Sequence, residues 1–65
     1  MYKYFIVYSV YYGEEDYEEV MNYVVEISYK IINKSAVNML EDKIEAEYGP
    51  LDCITLLNFI LLEEE

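Results

Sequence analysis

Sixty-five residues suffice for one small domain, residues 1–65, and such a domain buries only about 60% of the surface that its unfolded chain exposes, so its own core is only marginally stabilising. The single cysteine excludes an internal disulfide, and the lack of histidine together with the spacing of the acidic residues excludes the usual zinc and calcium motifs, so we expect no metal or cofactor and a core completed by oligomerisation. Fourteen acidic residues against four lysines give a formal net charge of −10, which disfavours direct binding to nucleic acid or to an anionic membrane surface.

The first 29 residues have the pattern of a β-hairpin. Residues 2–12 consist mainly of Tyr, Phe, Ile and Val and are apolar on both faces, which is typical of a central strand. The segment Gly13–Asp16 is the predicted turn, in which Gly13 is free to take a positive φ. A second strand is predicted from Glu18 to Tyr29, with one face formed by Met21, Tyr23, Val25, Ile27 and Tyr29.

A helix is predicted after a connector at residues 30–34. Ser35 is the expected N-cap, accepting a hydrogen bond from the backbone amide of Asn38. Gly49 is expected to take a left-handed conformation at the helix C-terminus, and Pro50 prevents the helix from continuing. Spacings of three and four residues predict a buried stripe made of Ala36, Val37, Leu40, Ile44 and Tyr48.

The last predicted strand, about Cys53 to Leu62, is apolar on both faces. Strict alternation would place Cys53, Thr55, Leu57, Phe59 and Leu61 on one face and Ile54, Leu56, Asn58, Ile60 and Leu62 on the other. Cys53 is then interpreted as a small core residue.

One helix covers only one face of a sheet, so we expect a second copy of the chain to cover the rest. The homodimer would form through the helix-free sheet face or through the edge of the last strand, and either arrangement is two-fold symmetric. Phe59 is expected near the two-fold axis, with Asn58 hydrogen-bonding across it. The candidate dimer-interface residues are Leu57, Asn58, Phe59, Ile60 and Leu61.

The order strand–strand–helix–strand predicts an α+β fold of ββαβ type. A right-handed crossover through the helix returns the third strand parallel to the second, with the first strand between them. The prediction is therefore a three-stranded antiparallel sheet in the order 2-1-3 with one helix on one face.

The chain lacks the residues that catalysis usually requires. Without histidine there is no Ser/His or Cys/His pair, and two glycines cannot form a Gly-rich phosphate-binding loop. We therefore expect no catalytic or cofactor-binding residues and no enzymatic activity. No stretch reaches the roughly 18 apolar residues of a membrane span, and no signal-peptide cleavage site follows the N-terminal apolar run, so a cytoplasmic location is expected.

The acidic segment of the hairpin is the candidate partner-binding site. Its charge suits a partner protein with a basic surface, including one whose groove normally holds nucleic acid, with carboxylates in place of phosphates. The alternative is a solvated loop with Tyr17 folded back on the sheet. The candidate residues are Glu14, Glu15, Asp16, Tyr17, Glu18 and Glu19.

The chain resembles a group of very short proteins encoded by phages and prophages of low-GC Gram-positive bacteria. The resemblance lies in the hairpin, in the acidic helix and in the segments Lys3–Ser9, Val24–Ile27, Glu47–Gly49 and Leu56–Leu62. This size class includes anti-defence proteins, among them inhibitors of the Hachiman system and anti-CRISPR proteins. The resemblance implies a stoichiometric inhibitor that binds a bacterial defence or nucleic-acid-handling protein in the host cytoplasm. The alternative is a structural or assembly module that forms a homo-oligomer and whose acidity only confers solubility.

Overall fold

The computed structural model describes residues 1–65 and contains three strands and one helix. The elements are β1 (Tyr2–Tyr12), β2 (Tyr17–Ile27), α1 (Lys34–Glu45) and β3 (Asp52–Glu64). The sheet has the order β2-β1-β3, and both outer strands run antiparallel to β1. This confirms the predicted α+β fold, although β2 ends two residues before the predicted Tyr29. No helix has the length and apolar character needed to cross a membrane.

The core lies between α1 and one face of the sheet. Leu40, at the centre of the helix, is completely buried, and Val37 and Tyr48 are partly buried at the margins of the core. The predicted helix stripe is therefore confirmed. Alternate residues of β1 supply most of the opposing surface, as the period of a strand requires. The buried apolar residues are Tyr4, Ile6, Tyr8, Val10, Val25, Ile27, Ile31, Ala36, Leu40, Ile44 and Ile54.

The start of α1 differs from the prediction. The N-cap is Asn33, whose backbone is extended and whose side-chain oxygen accepts a hydrogen bond from the amide of Ala36 at 3.0 Å. Ser35 lies inside the first helical turn, so its prediction as N-cap is wrong. Asn and Ser cap equally well, and here the earlier residue has the extended backbone that a cap needs.

The predicted left-handed conformation of Gly49 is also wrong, and Gly13 does not use its freedom to take a positive φ. Neither has a positive φ; the only residue in that region is Asp16, with a φ of 49°. The Gly49 amide instead donates a hydrogen bond to the Asp52 carboxylate at 2.8 Å, and the Gly49 carbonyl accepts one from the Asp52 amide at 3.1 Å. These two bonds close the turn without a left-handed residue. Gly13 is constrained by space, because a Cβ there would collide with the carbonyl oxygen of Leu51.

Two bulges in β3 overturn the predicted alternation of its side chains. Val7 pairs with Asn58 while the next residue, Tyr8, pairs with Leu56, so Leu57 has no partner. A second irregularity in the same ladder leaves Leu62 unpaired. Because each bulge inserts one residue, it reverses which face the following residues occupy. Ile54 and Leu56 therefore share the helix-covered face with Phe59 and Leu61, whereas Cys53, Thr55, Asn58 and Ile60 lie on the other face.

Candidate interaction surfaces

The hairpin connecting β1 to β2 is held against the sheet by tyrosines. The hydroxyl of Tyr11 donates a hydrogen bond to the Asp16 carboxylate, and that of Tyr12 donates to Glu19 Oε2 at 3.2 Å. The ring of Tyr17 stacks on that of Tyr12, with centroids 6.2 Å apart and planes 13° apart. Tyr17 is therefore folded back on the sheet while keeping 55% of its surface exposed.

Three carboxylates of the hairpin make no polar contact with another side chain of the molecule. Glu14, Glu15 and Glu18 are exposed and form neither a hydrogen bond nor an ion pair with another side chain. The structure thus brings all six candidate residues to one end of the molecule, but their contacts differ. Asp16 and Glu19 accept hydrogen bonds from tyrosines and stabilise the loop, whereas the other three acids face solvent without a partner in the chain.

The C-terminal half of α1 adds more acids to this end of the molecule. The ring of Tyr48, which follows the helix, lies 6.1 Å from that of Tyr12, and the Leu51 carbonyl lies against Gly13. Asp52, at the start of β3, pairs with Tyr12 across the sheet. We define the hairpin half as the part of the molecule that contains residues 8–21 and 40–56. Its ten acidic residues are Glu14, Glu15, Asp16, Glu18, Glu19, Glu41, Asp42, Glu45, Glu47 and Asp52.

Charge is strongly segregated along the 39 Å length of the molecule. Lys43 is the only lysine of the hairpin half, so this half carries a formal charge of −9 out of −10. The opposite half holds the other three lysines and four glutamates. Lys3 Nζ lies 2.9 Å from Glu63 and 3.7 Å from Glu26, and the hydrogen bond with Glu63 raises the pKa of Lys3 above its usual value. Position along the chain alone does not show this segregation, which depends on the end of α1 returning to the hairpin.

The tyrosines beneath the hairpin form a partly buried cluster. The hydroxyls of Tyr8 and Tyr48 lie 3.4 Å apart. Burial, followed by this hydrogen bond, raises the pKa of Tyr8 well above the usual tyrosine value, and burial also raises the pKa of Tyr12. Burial and mutual hydrogen bonding therefore disfavour ionisation of Tyr8, so the acidic loop lies on a cluster of aromatic rings.

The sheet face opposite α1, which we call the open face, forms a second exposed surface. Its central rows combine Phe5 with Val24 and Ile60, and Val7 with Asn22 and Asn58, across the three strands. Val24 and Ile60 are 51% and 52% exposed. Cys53 is exposed at the hairpin end of this face, so its assignment to the core is wrong; the bulge at Leu57 explains why. The full set is Lys3, Phe5, Val7, Ser9, Tyr11, Glu18, Val20, Asn22, Val24, Glu26, Cys53, Thr55, Asn58, Ile60 and Glu63.

The candidate dimer residues of β3 point in different directions. Asn58 and Ile60 lie on the open face, Leu57 is the exposed bulge residue, and Phe59 and Leu61 lie on the helix side. The Phe59 ring meets that of Tyr4 edge to face, with centroids 6.0 Å apart. These five residues therefore do not form one continuous patch.

The exposed edge of β3 is capped by side chains. Glu41 Oε2 accepts a hydrogen bond from the Leu56 amide at 2.8 Å, and Asn58 Oδ1 accepts one from the Phe59 amide at 2.9 Å. No sequence pattern marks Glu41 for this role, because a helix carboxylate can reach a strand edge only in the folded molecule. These contacts occupy two amides that an added strand would need.

The structure contains no group of three or more metal-ligating side chains placed to hold an ion. Of its two surface depressions, one is lined mainly by charged groups and the other, after the end of α1, by both acidic and apolar residues. No family model matches the chain, and no curated protein or solved structure is significantly similar to it. The geometry and charge of the hairpin half and the open face therefore carry the functional argument.

Proposed function

We propose that this protein acts by binding, without catalysis, and inhibits a partner protein that has a basic surface. The segregation of nine of its ten net negative charges into the hairpin half carries this proposal. The resemblance to short phage and prophage proteins supports a sharper form: an anti-defence protein whose partner is a bacterial defence or nucleic-acid-handling protein.

The free carboxylates of the hairpin are well placed to make the first contact with a basic partner. Glu14, Glu15 and Glu18 are exposed and unpaired, so no lysine of the chain neutralises them. Acids clustered at one end create a directional field that accelerates association and orients the encounter. The stacked Tyr12 and Tyr17 hold the loop in place and so lower the ordering cost of binding.

The segregation argues against an exclusively solubilising role for the acids. Acids that serve only solubility need no particular position, yet the half containing Lys3, Lys30 and Lys34 is almost neutral. Tyr17 adds an exposed aromatic ring at the charged end, and tyrosine is a favoured residue at protein interfaces.

Neutralising the free acids tests the proposal. We expect the triple variant Glu14→Gln, Glu15→Gln, Glu18→Gln to fold normally but to lose the protein that the wild type retains in a pull-down from a bacterial lysate. The matched control neutralises Glu26, Glu64 and Glu65 in the nearly neutral half, which changes the net charge equally. With the retained protein purified, its association rate with the wild type should fall as ionic strength rises, and the triple variant should show a flatter dependence. Equal retention and equal salt dependence for the two variants would refute the proposal.

The open face favours a second candidate function, that of an assembly module that forms a homo-oligomer. Its apolar rows are covered by nothing in the single chain. This candidate predicts self-association that persists when Glu14 and Glu15, which lie outside the open face, are neutralised.

A further inference from the structure

We propose that the open face packs against the open face of a second copy. Each strand runs opposite to the same strand of the partner, so the two acidic hairpin ends lie at opposite ends of the dimer. This inference does not depend on the basic partner proposed above. It rests on the apolar rows of the open face, the condition of the sheet edges and the segregation of charge.

The edges of the sheet are poorly suited to pairing with another chain. The β3 edge has two bulges, and its Leu56 and Phe59 amides already donate to Glu41 and Asn58. Bulges and occupied donors are the means by which edge strands resist pairing. The β2 edge is acidic, and two-fold pairing centred on its middle residue, Asn22, would place Glu18 opposite the partner's Glu26. Like charges directly opposite each other destabilise a strand pair. The face, not an edge, is therefore the surface that remains for a second copy.

The size of the open face is sufficient for a weak, specific dimer. Three strands spaced about 4.8 Å apart, over the nine residues from Lys3 to Tyr11 at about 3.4 Å each, give a flat footprint of roughly 400 Å² per copy. The accessible area is larger because side chains corrugate the surface, so the total buried by two copies is on the order of 1,000 Å², near the lower bound of specific interfaces. We therefore expect a dimer that exchanges with monomer in the micromolar range.

Charge determines the relative orientation of the two copies. A two-fold axis along the strands would place the two hairpin halves side by side, each with a formal charge of −9. An axis across the strands places each hairpin half over the partner's opposite half, which contains Lys3, Lys30 and Lys34. The row in which Lys3 pairs with Glu26 and Glu63 then lies over the row formed by the partner's Tyr11, Glu18 and Cys53, so Glu26 and Lys3 both come close to the partner's Glu18, and the orientation rests on the charge of the whole halves. The two acidic tips separate far beyond the screening length of about 8 Å, which removes their mutual repulsion.

The first test measures self-association by sedimentation across micromolar protein concentrations. We expect the double variant Val24→Gln, Ile60→Gln to raise the dimer dissociation constant about tenfold or more, because the interface would then bury polar amides. The control variant Ile32→Gln, Met39→Gln changes two exposed apolar residues outside the open face and should leave the constant unchanged. A wild type that stays monomeric, or two variants with equal effects, would overturn the proposal.

Cys53 provides a readout in the unmutated chain. Its thiol is exposed at the end of the open face in the single chain, so alkylation by iodoacetamide should slow as the protein concentration rises through the dimer dissociation constant. A rate that is independent of concentration while the protein dimerises would place the interface elsewhere.

Pulsed electron–electron spin resonance tests the orientation. A spin label at Glu15→Cys in a Cys53→Ser background lies at the hairpin tip, outside the face. Antiparallel packing about Val7 predicts a label separation of roughly 50 Å, whereas packing with both tips at one end predicts less than about 20 Å. The short distance would refute the antiparallel arrangement. Neither result depends on whether a basic partner exists, so this proposal and the proposed function fail independently.

Discussion

Replacing Leu40 with Ala tests whether α1 and the sheet share the core described above. Leu40 is completely buried at the centre of the helix stripe, between Ala36 and Ile44. Truncating a buried leucine removes its transfer free energy and leaves a cavity, which together cost about 2–5 kcal/mol. At about 0.05–0.15 kcal/mol per residue, a chain of this length has a free energy of unfolding of roughly 3–10 kcal/mol, so the variant should lose a large part of it.

Urea denaturation followed by circular dichroism measures this loss. Protein concentration should be kept below the dimer range and equal in all samples, because self-association adds apparent stability. Met39→Ala is the matched control, since Met39 precedes Leu40 on the same helix but is 52% exposed. We expect the control to change stability by less than about 0.5 kcal/mol. Equal losses for the two variants would refute the assignment of Leu40 to the core.

Two further predictions concern the helix cap and the buried tyrosine. Asn33→Ala should reduce the free energy of unfolding by about 0.5–2 kcal/mol because it removes the acceptor for the Ala36 amide, while Ser35→Ala should have little effect; the reverse result in urea denaturation would restore Ser35 as the cap. Because the folded state raises the pKa of Tyr8, the native protein keeps this hydroxyl protonated at pH values where the unfolded chain ionises it, so the free energy of unfolding should fall as pH rises above about 10. Tyr8→Phe should make that fall shallower, and an unchanged pH dependence would contradict the burial of this hydroxyl.

The architecture could be predicted because several local signals agreed. The apolar pattern of β1 on both faces, the polar hairpin and the spacing of Leu40 and Ile44 all favoured one ββαβ arrangement, in which β1 lies at the centre of the sheet. The helix start could not be fixed because Asn33 and Ser35 are both good caps, and only the backbone conformation distinguishes them.

The faces of β3 could not be predicted for a different reason. The segment is apolar on both sides, so no hydrophobic pattern opposes a shift of one residue, and the bulge at Leu57 has no sequence signature such as glycine. As a result, Phe59 packs on Tyr4 beside the helix-covered core, and Cys53 moves to the open face.

The surfaces proposed for partner binding and for self-association are different, so the two interactions could occur together. The open face supplies the apolar contact, whereas the free hairpin acids Glu14 and Glu15 lie beyond the ends of β1 and β2. In the antiparallel dimer each tip projects at one end, so one dimer offers two identical acidic surfaces to basic partners. Linked sites raise the overall affinity for a partner that is itself dimeric or repeats along a surface, even when each contact is weak. In the proposed dimer, a small chain with a marginal core would gain both stability and a second binding end from the same association.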